Sequence, residues 1–339
     1  MARRPTAMDV AKLANTSRSA VSMVINQRWR GIISEEAEAR IRASVAELNY
    51  VPHTTGRSLR TQRTLTLGVV TEIVSHPFAG ALISGLTTQA SSEGYAALLV
   101  ETDRSTAGDE AAVAQLVSRQ VDGLIYATGG LSVVDLGPQA RAQSVVLANC
   151  FDARGELTAF VPDNEGGTML AVQHLLDLGH KRIALLLGDG DDPAISPREA
   201  GYRAAMAAAR IPLKMQATVT AGWDIDGGYR AAERVLGKAT RPTAIVASND
   251  RVATGVLLRA ASMGLSVPDD LSIVGFDDQP FVADRLVPAL TTIALPYAEM
   301  GAAAARALIE SLSTSTPSAD MGAKMACHIV VRQSTAPPS

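Results

Sequence analysis

Cysteine is nearly absent: Cys150 and Cys327 are the only two in 339 residues. Two distant thiols build no disulfide framework; they fit a reducing cytosol and small buried side chains. Aromatic residues make up only 4% of the chain, so its cores must rest on Ala, Val, Leu and Ile, which dominate a 47% hydrophobic share. Long apolar runs are missing too. Ile183 to Leu187 is among the longest, far short of a membrane span. The N-terminal Met1-Ala-Arg-Arg-Pro-Thr6 has no apolar segment after its basic pair, so no secretory signal is expected. These absences predict a cytoplasmic protein with no membrane partner.

Several chemistries are also missing. No Gly-x-x-x-x-Gly-Lys-Ser/Thr phosphate loop occurs, and no Gly-x-Gly-x-x-Gly follows the first apolar strand. Gly188-Asp189-Gly190 lacks the third glycine and a proper helix start. The five histidines, at 53, 76, 174, 180 and 328, show no metal-ligand spacing with each other or with the cysteines. The acids Asp189, Asp191 and Asp192 are expected in an exposed, solvated turn rather than around a cation. There is no Gly-x-Ser-x-Gly nucleophile elbow. No catalytic residue, metal or cofactor is therefore expected; the chemistry on offer is binding.

What is present begins with a charge asymmetry. Residues 1–63 carry eleven Lys/Arg and five acids; the remainder holds 20 of the 31 basic and 29 of the 34 acidic residues. A basic end on an acidic body suits a protein that presents that end to a polyanion. The alternative from charge alone is a merely solvated N-terminus.

The first fifty residues predict three short helices. Thr6-Ala-Met-Asp9 has the form of a capping box, with Val10, Leu13 and Ala14 on one face behind it. Asn15-Thr16 breaks the pattern, and Ser17 can cap a second helix with Val21, Val24 and Ile25 on its apolar face. Ser34 with Glu35 and Glu36 starts a third, because acids favour the positive end of the helix dipole. Ile41, Val45 and Leu48 make its buried face. From Pro52 to Arg63 the composition is that of a linker. Beyond it, apolar runs at Leu65–Val70, Ala96–Val100, Gly123–Tyr126, Val145–Ala148, Arg182–Leu187, Ala244–Ala247 and Ser272–Phe276 alternate with helical stretches. Such continuous runs indicate strands buried on both faces of a parallel sheet. About ten strands are expected, too many for one doubly wound unit, so two lobes are predicted. The tail from Thr335 has a disordered composition.

The stretch Met8-Asp-Val-Ala-Lys-Leu-Ala-Asn-Thr-Ser-Arg-Ser-Ala-Val-Ser-Met-Val-Ile-Asn26 resembles the headpiece of the LacI/GalR family. Val45-Ala-Glu-Leu-Asn-Tyr-Val-Pro52, Arg57-Ser-Leu-Arg-Thr61, Val161-Pro-Asp-Asn164, Ala247-Ser-Asn-Asp250 and Gly275-Phe-Asp-Asp278 continue the resemblance in the family's order. It implies an all-α helix-turn-helix headpiece (1–50), a hinge (51–63), and an α/β two-lobed periplasmic-binding-protein-like domain (64–335) with two doubly wound parallel sheets. The lobes would be about 64–161 plus 293–325, and about 162–292 plus 326–335. Function would be repression: a nucleoid-associated homodimer on double-stranded operator DNA, released or recruited by a sugar-like or nucleobase-like effector.

On that resemblance Thr6, Ser17, Arg18, Ser19, Ser22, Met23 and Asn26 are placed at DNA, with Tyr50 and His53. Arg18 could donate two hydrogen bonds to a guanine, worth about 1–3 kcal/mol of discrimination, or simply meet phosphate or solvent. Met23 stands where the family often has a basic residue and offers only apolar contact. Arg28 and Arg30, in a loop about two residues longer than usual, suit phosphate contacts; Trp29 between them is expected to pack under the headpiece. Gly56, Leu59 and Arg60 belong to the hinge helix. Leu59 matches the family's minor-groove wedge, although it could instead pack on the body. For the effector the matching positions are His76, Phe78, Asp163, Arg198, Trp223, Asn249 and Asp277. Each has a structural alternative, such as a turn cap for Asp277 or a space-filler for Trp223.

Two other classes remain in view: a transporter's solute-binding protein, which would need a secretory signal and no headpiece, and a doubly wound nucleotide- or sugar-modifying enzyme, which would need the missing loops. Gly56 stands where the family usually has Ala, at a cost of about 1 kcal/mol to a helix. Gly56→Ala is expected to tighten operator binding in a titration; unchanged affinity would show that this glycine does not limit hinge folding.

Overall fold

The computed structural model describes residues 5–50, 63–72, 77–212, 217–313 and 322–339. The chain divides into two compact units, Met1–Thr64 and Leu65–Ser339. The hinge positions His53, Gly56, Leu59 and Arg60, and the cleft position His76, lie outside the described residues.

The first unit contains α1 (Ala7–Leu13), α2 (Arg18–Ile25) and α3 (Glu35–Glu47). Each starts on a hydroxyl cap. Thr6 Oγ1 accepts from Asp9 N while Asp9 Oδ2 accepts from Thr6 N at 2.8 Å, which completes the capping box. Ser17 Oγ accepts from Ala20 N at 3.1 Å, and Ser34 Oγ from Ala37 N at 3.3 Å. Caps of this kind contribute about 1 kcal/mol each. Asn15, Gln27 and Asn49 follow the three helices with positive φ, the left-handed turn that ends a helix. Val10, Ala11, Ala14, Val21, Val24 and Ile41 form one core, with Trp29, Val45 and Leu48 packed against it. Leu13 corrects the expectation: it is 45% exposed, and Ala11 takes its place in the core. The two small alanines on that face let the short helices approach closely.

The second unit holds two six-stranded sheets. In chain order the first has β1 (Thr66–Thr71), β2 (Ala96–Glu101), β3 (Gly123–Val134), β4 (Val145–Asp152), β5 (Thr158–Pro162) and β11 (Gly322–Met325), arranged β11-β5-β4-β3-β1-β2. The second has β6 (Ile183–Leu187), β7 (Ala217–Thr220), β8 (Ala244–Ala247), β9 (Ser272–Asp277), β10 (Thr291–Ala294) and β12 (His328–Val330), arranged β12-β10-β9-β8-β6-β7. Among the described residues every pairing is parallel except β10 with β12. Helices cover both faces of each sheet. For the first they are α4 (Ala79–Ser92) and α11 (Tyr297–Ser313) on one face, α5 (Thr106–Ser118) and α6 (Pro138–Arg141) on the other. For the second they are α7 (Asn164–Asp177) with α8 (Ile195–Ala208), and α9 (Ile225–Leu236) with α10 (Asp250–Ser262). Gly94, Gly179 and Gly264 follow α4, α7 and α10 with φ of 78°, 99° and 73°, a region that side chains with a Cβ rarely adopt.

The chain passes between lobes at 162–164, 295–297 and 326–327. The change of lobe expected at about 293 falls after β10, which belongs wholly to the second sheet. The five strands not named from the sequence, β5, β7, β10, β11 and β12, are short, and β7, β11 and β12 are edges that stay partly exposed. β2 is also an edge, half-exposed despite its apolar run.

The C-terminal tail is ordered, contrary to its composition. Ser334 is fully buried; its Oγ accepts from Thr291 N at 2.8 Å and donates to Ile273 O at 2.6 Å. Ala336 O lies 2.8 Å from His180 Nε2, and Thr335 Oγ1 3.0 Å from His174 Nε2. A carbonyl only accepts, so His180 carries its proton on Nε2; burial holds the ring below its ordinary pKa and therefore neutral. Removing residues 334–339 would leave several buried groups without partners, at about 1–3 kcal/mol for each. The expected result is a loss on the order of 2 kcal/mol or more in urea unfolding; an unchanged midpoint would show the tail to be passive.

Candidate functional site

Two surfaces hold most of the described residues singled out from the sequence. On the first unit, capping by Ser17 fixes where α2 begins. Arg18 and Ser19 are then exposed in its first turn, where the dipole favours anions, and Ser22 is exposed one turn along. Met23 is half-buried. Asn26 is already engaged: its Nδ2 donates back to Ser22 O at 2.7 Å. Thr6 is saturated by the capping box, and Tyr50 packs on the core. Arg28 and Arg30 are exposed, while Trp29 is half-buried against the core as expected.

The second surface is a cavity of about 180 Å³ where strand ends and lobe crossings meet. From the first lobe come Phe78, Gly129, Leu131 and Asn149; from the crossings Pro162, Asn164, Leu295 and Tyr297. From the second come Asp192, Arg198, Trp223, Asn249, Arg251 and Asp277. Side chains at the carboxyl ends of parallel strands converge there because the helices that follow start there too.

Arg198 is the most constrained of them. It is 6% exposed, yet its guanidinium is held on three sides: Nε donates to Asn164 Oδ1 at 2.8 Å, one terminal nitrogen to Ser248 O, and the other lies 3.9 Å from Asp277 Oδ1. Its plane sits 3.8 Å from the centroid of Phe276 and 5.8 Å from that of Trp223. Burial works against its charge, and Asp277 and Asp192 support it. Trp223 is held by its Nε1, which donates to Asp189 O at 3.2 Å. Its ring packs against Gly188, where a Cβ would come within 2.0 Å of it.

Asn249 caps α10 by accepting from Val252 N at 2.8 Å, and its amide donates to Trp223 O at 3.1 Å. One N–H and one lone pair are left for a ligand. Asn149, at φ 59°, donates to Thr128 O and Gly129 O and so shapes the irregular part of β3. Phe78 and Tyr297 stack at 4.7 Å with their planes 7° apart.

Asp277 ends β9 at φ 103°, a conformation costing a non-glycine residue on the order of 1–3 kcal/mol. Burial pushes its carboxyl up to about 7, while Arg198 and Arg251 pull it down. The wholly buried Asp250 behind it, which accepts from Thr292 Oγ1 and Gln279 N at 2.6 Å, is pushed up to about 8 by burial and then by Asp277. The site can thus present amides, two guanidinium groups, a carboxyl near neutrality and aromatic planes. Among the described residues no His, Cys, Asp and Glu are grouped to hold a metal.

The comparisons agree with this geometry. Residues 6–53 match the model of bacterial regulatory proteins, lacI family, and residues 172–335 that of the periplasmic binding protein-like domain. The ribose operon repressor of Escherichia coli K12 is 32% identical over 329 residues, 92% of this chain and 94% of that protein. The chain belongs to the lacI family. The repressor PurR of Vibrio parahaemolyticus is 29% identical across 91% of this chain and 92% of its own length. A solved lac repressor dimer, bound to operator and the anti-inducer ONPF, superposes with a TM-score of 0.78 at 25% identity, covering 98% of this chain and 100% of that one.

In this lacI-family chain the cavity gathers Phe78, Arg198, Trp223, Asn249 and Asp277 as expected from the sequence. It does not gather Asp163, whose carboxylate caps α7 by accepting from Gly166 N at 3.0 Å; its neighbour Asn164 lines the cavity instead. Asp192 corrects the solvated-turn expectation. It faces Arg198 and accepts from Ala194 N at 2.8 Å, and burial raises its carboxyl. Asn164 was legible with Asp163 at the crossover between lobes, while Asn149, Arg251 and Tyr297 were missed. Arg251 and Tyr297 come soon after β8 and β10, so those strand ends carried the available signal, whereas Asn149 lies inside β4 and carried none.

Asp277 gives a pH signature. Its carboxyl moves from 3.8 in the unfolded chain to about 7 in the fold, so its stability contribution is fullest below 3.8 and is lost as pH rises to about 7. In Asp277→Asn that loss is absent. Relative to the parent, the variant is expected to gain on the order of 2 kcal/mol between pH 5 and pH 8 in chemical unfolding. A pH-independent difference would show that Asp277 ionises as it does in water.

Proposed function

We propose that this chain is a transcriptional repressor. A homodimer binds a palindromic operator through α2, and a small ligand in the 180 Å³ cleft controls that binding. The observation that carries the reading is the exposed, Ser17-capped N-terminal half of α2, with Arg18 and Ser19 placed to meet base edges and Ser22 exposed one turn along. Arg28 and Arg30 add phosphate contacts, and the basic first 63 residues supply long-range attraction. The lac repressor dimer on its operator supports the same use of a similar chain.

A two-fold dimer matches a palindrome. Lobe surfaces are available for it: the half-exposed apolar edge β2, and Leu258, Phe281 and Val287, which are 53%, 83% and 95% exposed. The cleft, with amides, carboxyls and flat aromatic faces around a small volume, suits a sugar-like or nucleobase-like ring whose polar edge is hydrogen-bonded. The role is binding rather than catalysis, and the place of action is the cytoplasm, at the nucleoid. Among the described residues no helix is long and apolar enough to cross a membrane.

Genomic fragments captured by the protein supply the operator. Arg18→Ala is expected to weaken binding to that fragment by about 1–3 kcal/mol and relax selectivity at one base position. A ligand found by thermal shift among monosaccharides and nucleobases is expected to change operator affinity by the factor by which operator changes its own. Failure of any fragment to bind in a salt-sensitive way would overturn the proposal.

A further inference from the structure

The first lobe holds a second cavity, about 440 Å³ in volume, that shares no lining residue with the cleft. It lies between the first turns of α5, the end of β3 and the segment 135–140. Its apolar floor is Val113, Tyr126, Val134, Leu136 and Ala140, each at most 8% exposed. Val133, 56% exposed, stands at its mouth. The cleft and this cavity share β3 as a wall: Gly129 to Leu131 line one, Val133 and Val134 the other.

The charges around this cavity do not balance. Three carboxylates line it, Asp109, Glu110 and Asp135, against the single cation Arg104. Arg104 leans away, 3.7 Å from Glu72. Asp135 is matched by Arg141 and Arg154 outside the lining, each at 3.6 Å. That leaves Asp109 and Glu110. Asp109 is held in place, with one oxygen accepting from Thr102 Oγ1 at 2.6 Å and the other from the Tyr126 hydroxyl. Neither partner is a cation, so its charge stays uncompensated. Glu110 has no hydrogen-bond or ion-pair partner among the described residues. Its Oε1 lies 3.2 Å from where a Cβ on Gly137 would sit, which turns the carboxylate across the loop that walls the cavity.

One fixed carboxylate, Asp109, beside an unpaired one, Glu110, above an apolar floor is complementary to a charged head on a greasy body. We propose that this cavity binds a small organic cation, a protonated amine on a ring or branched chain. Glu110 and Asp109 receive the ammonium, and Val113, Val134 and Leu136 receive the body. Charge-assisted hydrogen bonds are the strong ones, so most of the selectivity rests on the ammonium.

Benzylamine, protonated at neutral pH, and benzyl alcohol, its neutral counterpart of similar shape, separate the two halves of the proposal. Isothermal titration of the full chain is expected to show benzylamine binding, with the alcohol at least tenfold weaker. Glu110→Gln alters an exposed side chain and is expected to keep the parent's melting temperature while weakening the amine at least tenfold. Val133→Lys places a tethered ammonium at the mouth and is expected to abolish binding. Equal binding of amine and alcohol, no amine binding at all, or amine affinity unaffected by either variant would overturn the proposal. Amine binding that survives Val133→Lys would place the amine elsewhere.

Discussion

The Arg198 guanidinium lies out of water, and a buried charge persists only where its donors are met and its charge is matched. Here the partners come from three places in the chain: Asn164 where the first crossing enters α7, Ser248 beyond β8, and Asp277 at the end of β9. Phe276 and Trp223 close over its faces. Much of the second lobe's side of the cleft is arranged to satisfy this one group. Asn249 holds the Trp223 backbone, Gly188 makes room for the indole, and Asp277 accepts an unfavourable φ. Removing Arg198 would leave acids facing one another, whereas removing a surface arginine such as Arg203 would free only an exposed ion pair of little worth.

That arrangement explains why the cleft is polar yet small. Its walls are side chains already bonded to the protein, each with some capacity left over. A ligand that uses this leftover capacity does not need to break what holds the lobe together. Asn249 and Asn149 show the pattern: each spends part of its amide on the backbone and remains at the cavity surface. Two of the three chain crossings, at 162–164 and 295–297, line the same space, so a ligand touches segments that must bend if the lobes close.

Legibility in the sequence followed the physics of each element. Thr6, Ser17 and Ser34 cap helices through bonds to residues three positions on, and those starts were readable. Central strands such as β6 and β8 are buried at every position, so their unbroken Val, Ile, Leu and Ala runs announced them. Edge strands such as β11 and β12 need no such run and were overlooked. Leu13 and Ala11 exchanged roles because the rotation of α1 depends on what α2 and α3 present to it. In the cleft, Arg198, Trp223, Asn249 and Asp277 were legible through the family resemblance and their places near strand ends, and Asn164 through its place at a crossover, while Tyr297 lay at a crossing whose strand had gone unread.

The sequence by itself determined the local matters: where helices start, which runs are buried in parallel sheets, that a basic three-helix unit precedes an acidic two-lobed one. These depend on contacts within a few residues or on average burial. Only the tertiary structure decided which side chains meet. Asp192 turns inward because Arg198, six residues on, needs negative charge near it. The Pro-rich tail is ordered because Ser272, Thr291 and His180, far away in sequence, have polar groups that it completes. The unbalanced carboxylates of α5 became visible only once the segment 135–140 was folded against them. Partners separated by tens to hundreds of residues leave no local pattern, since the free energy that pairs them arises from burial, and burial exists only in the folded chain.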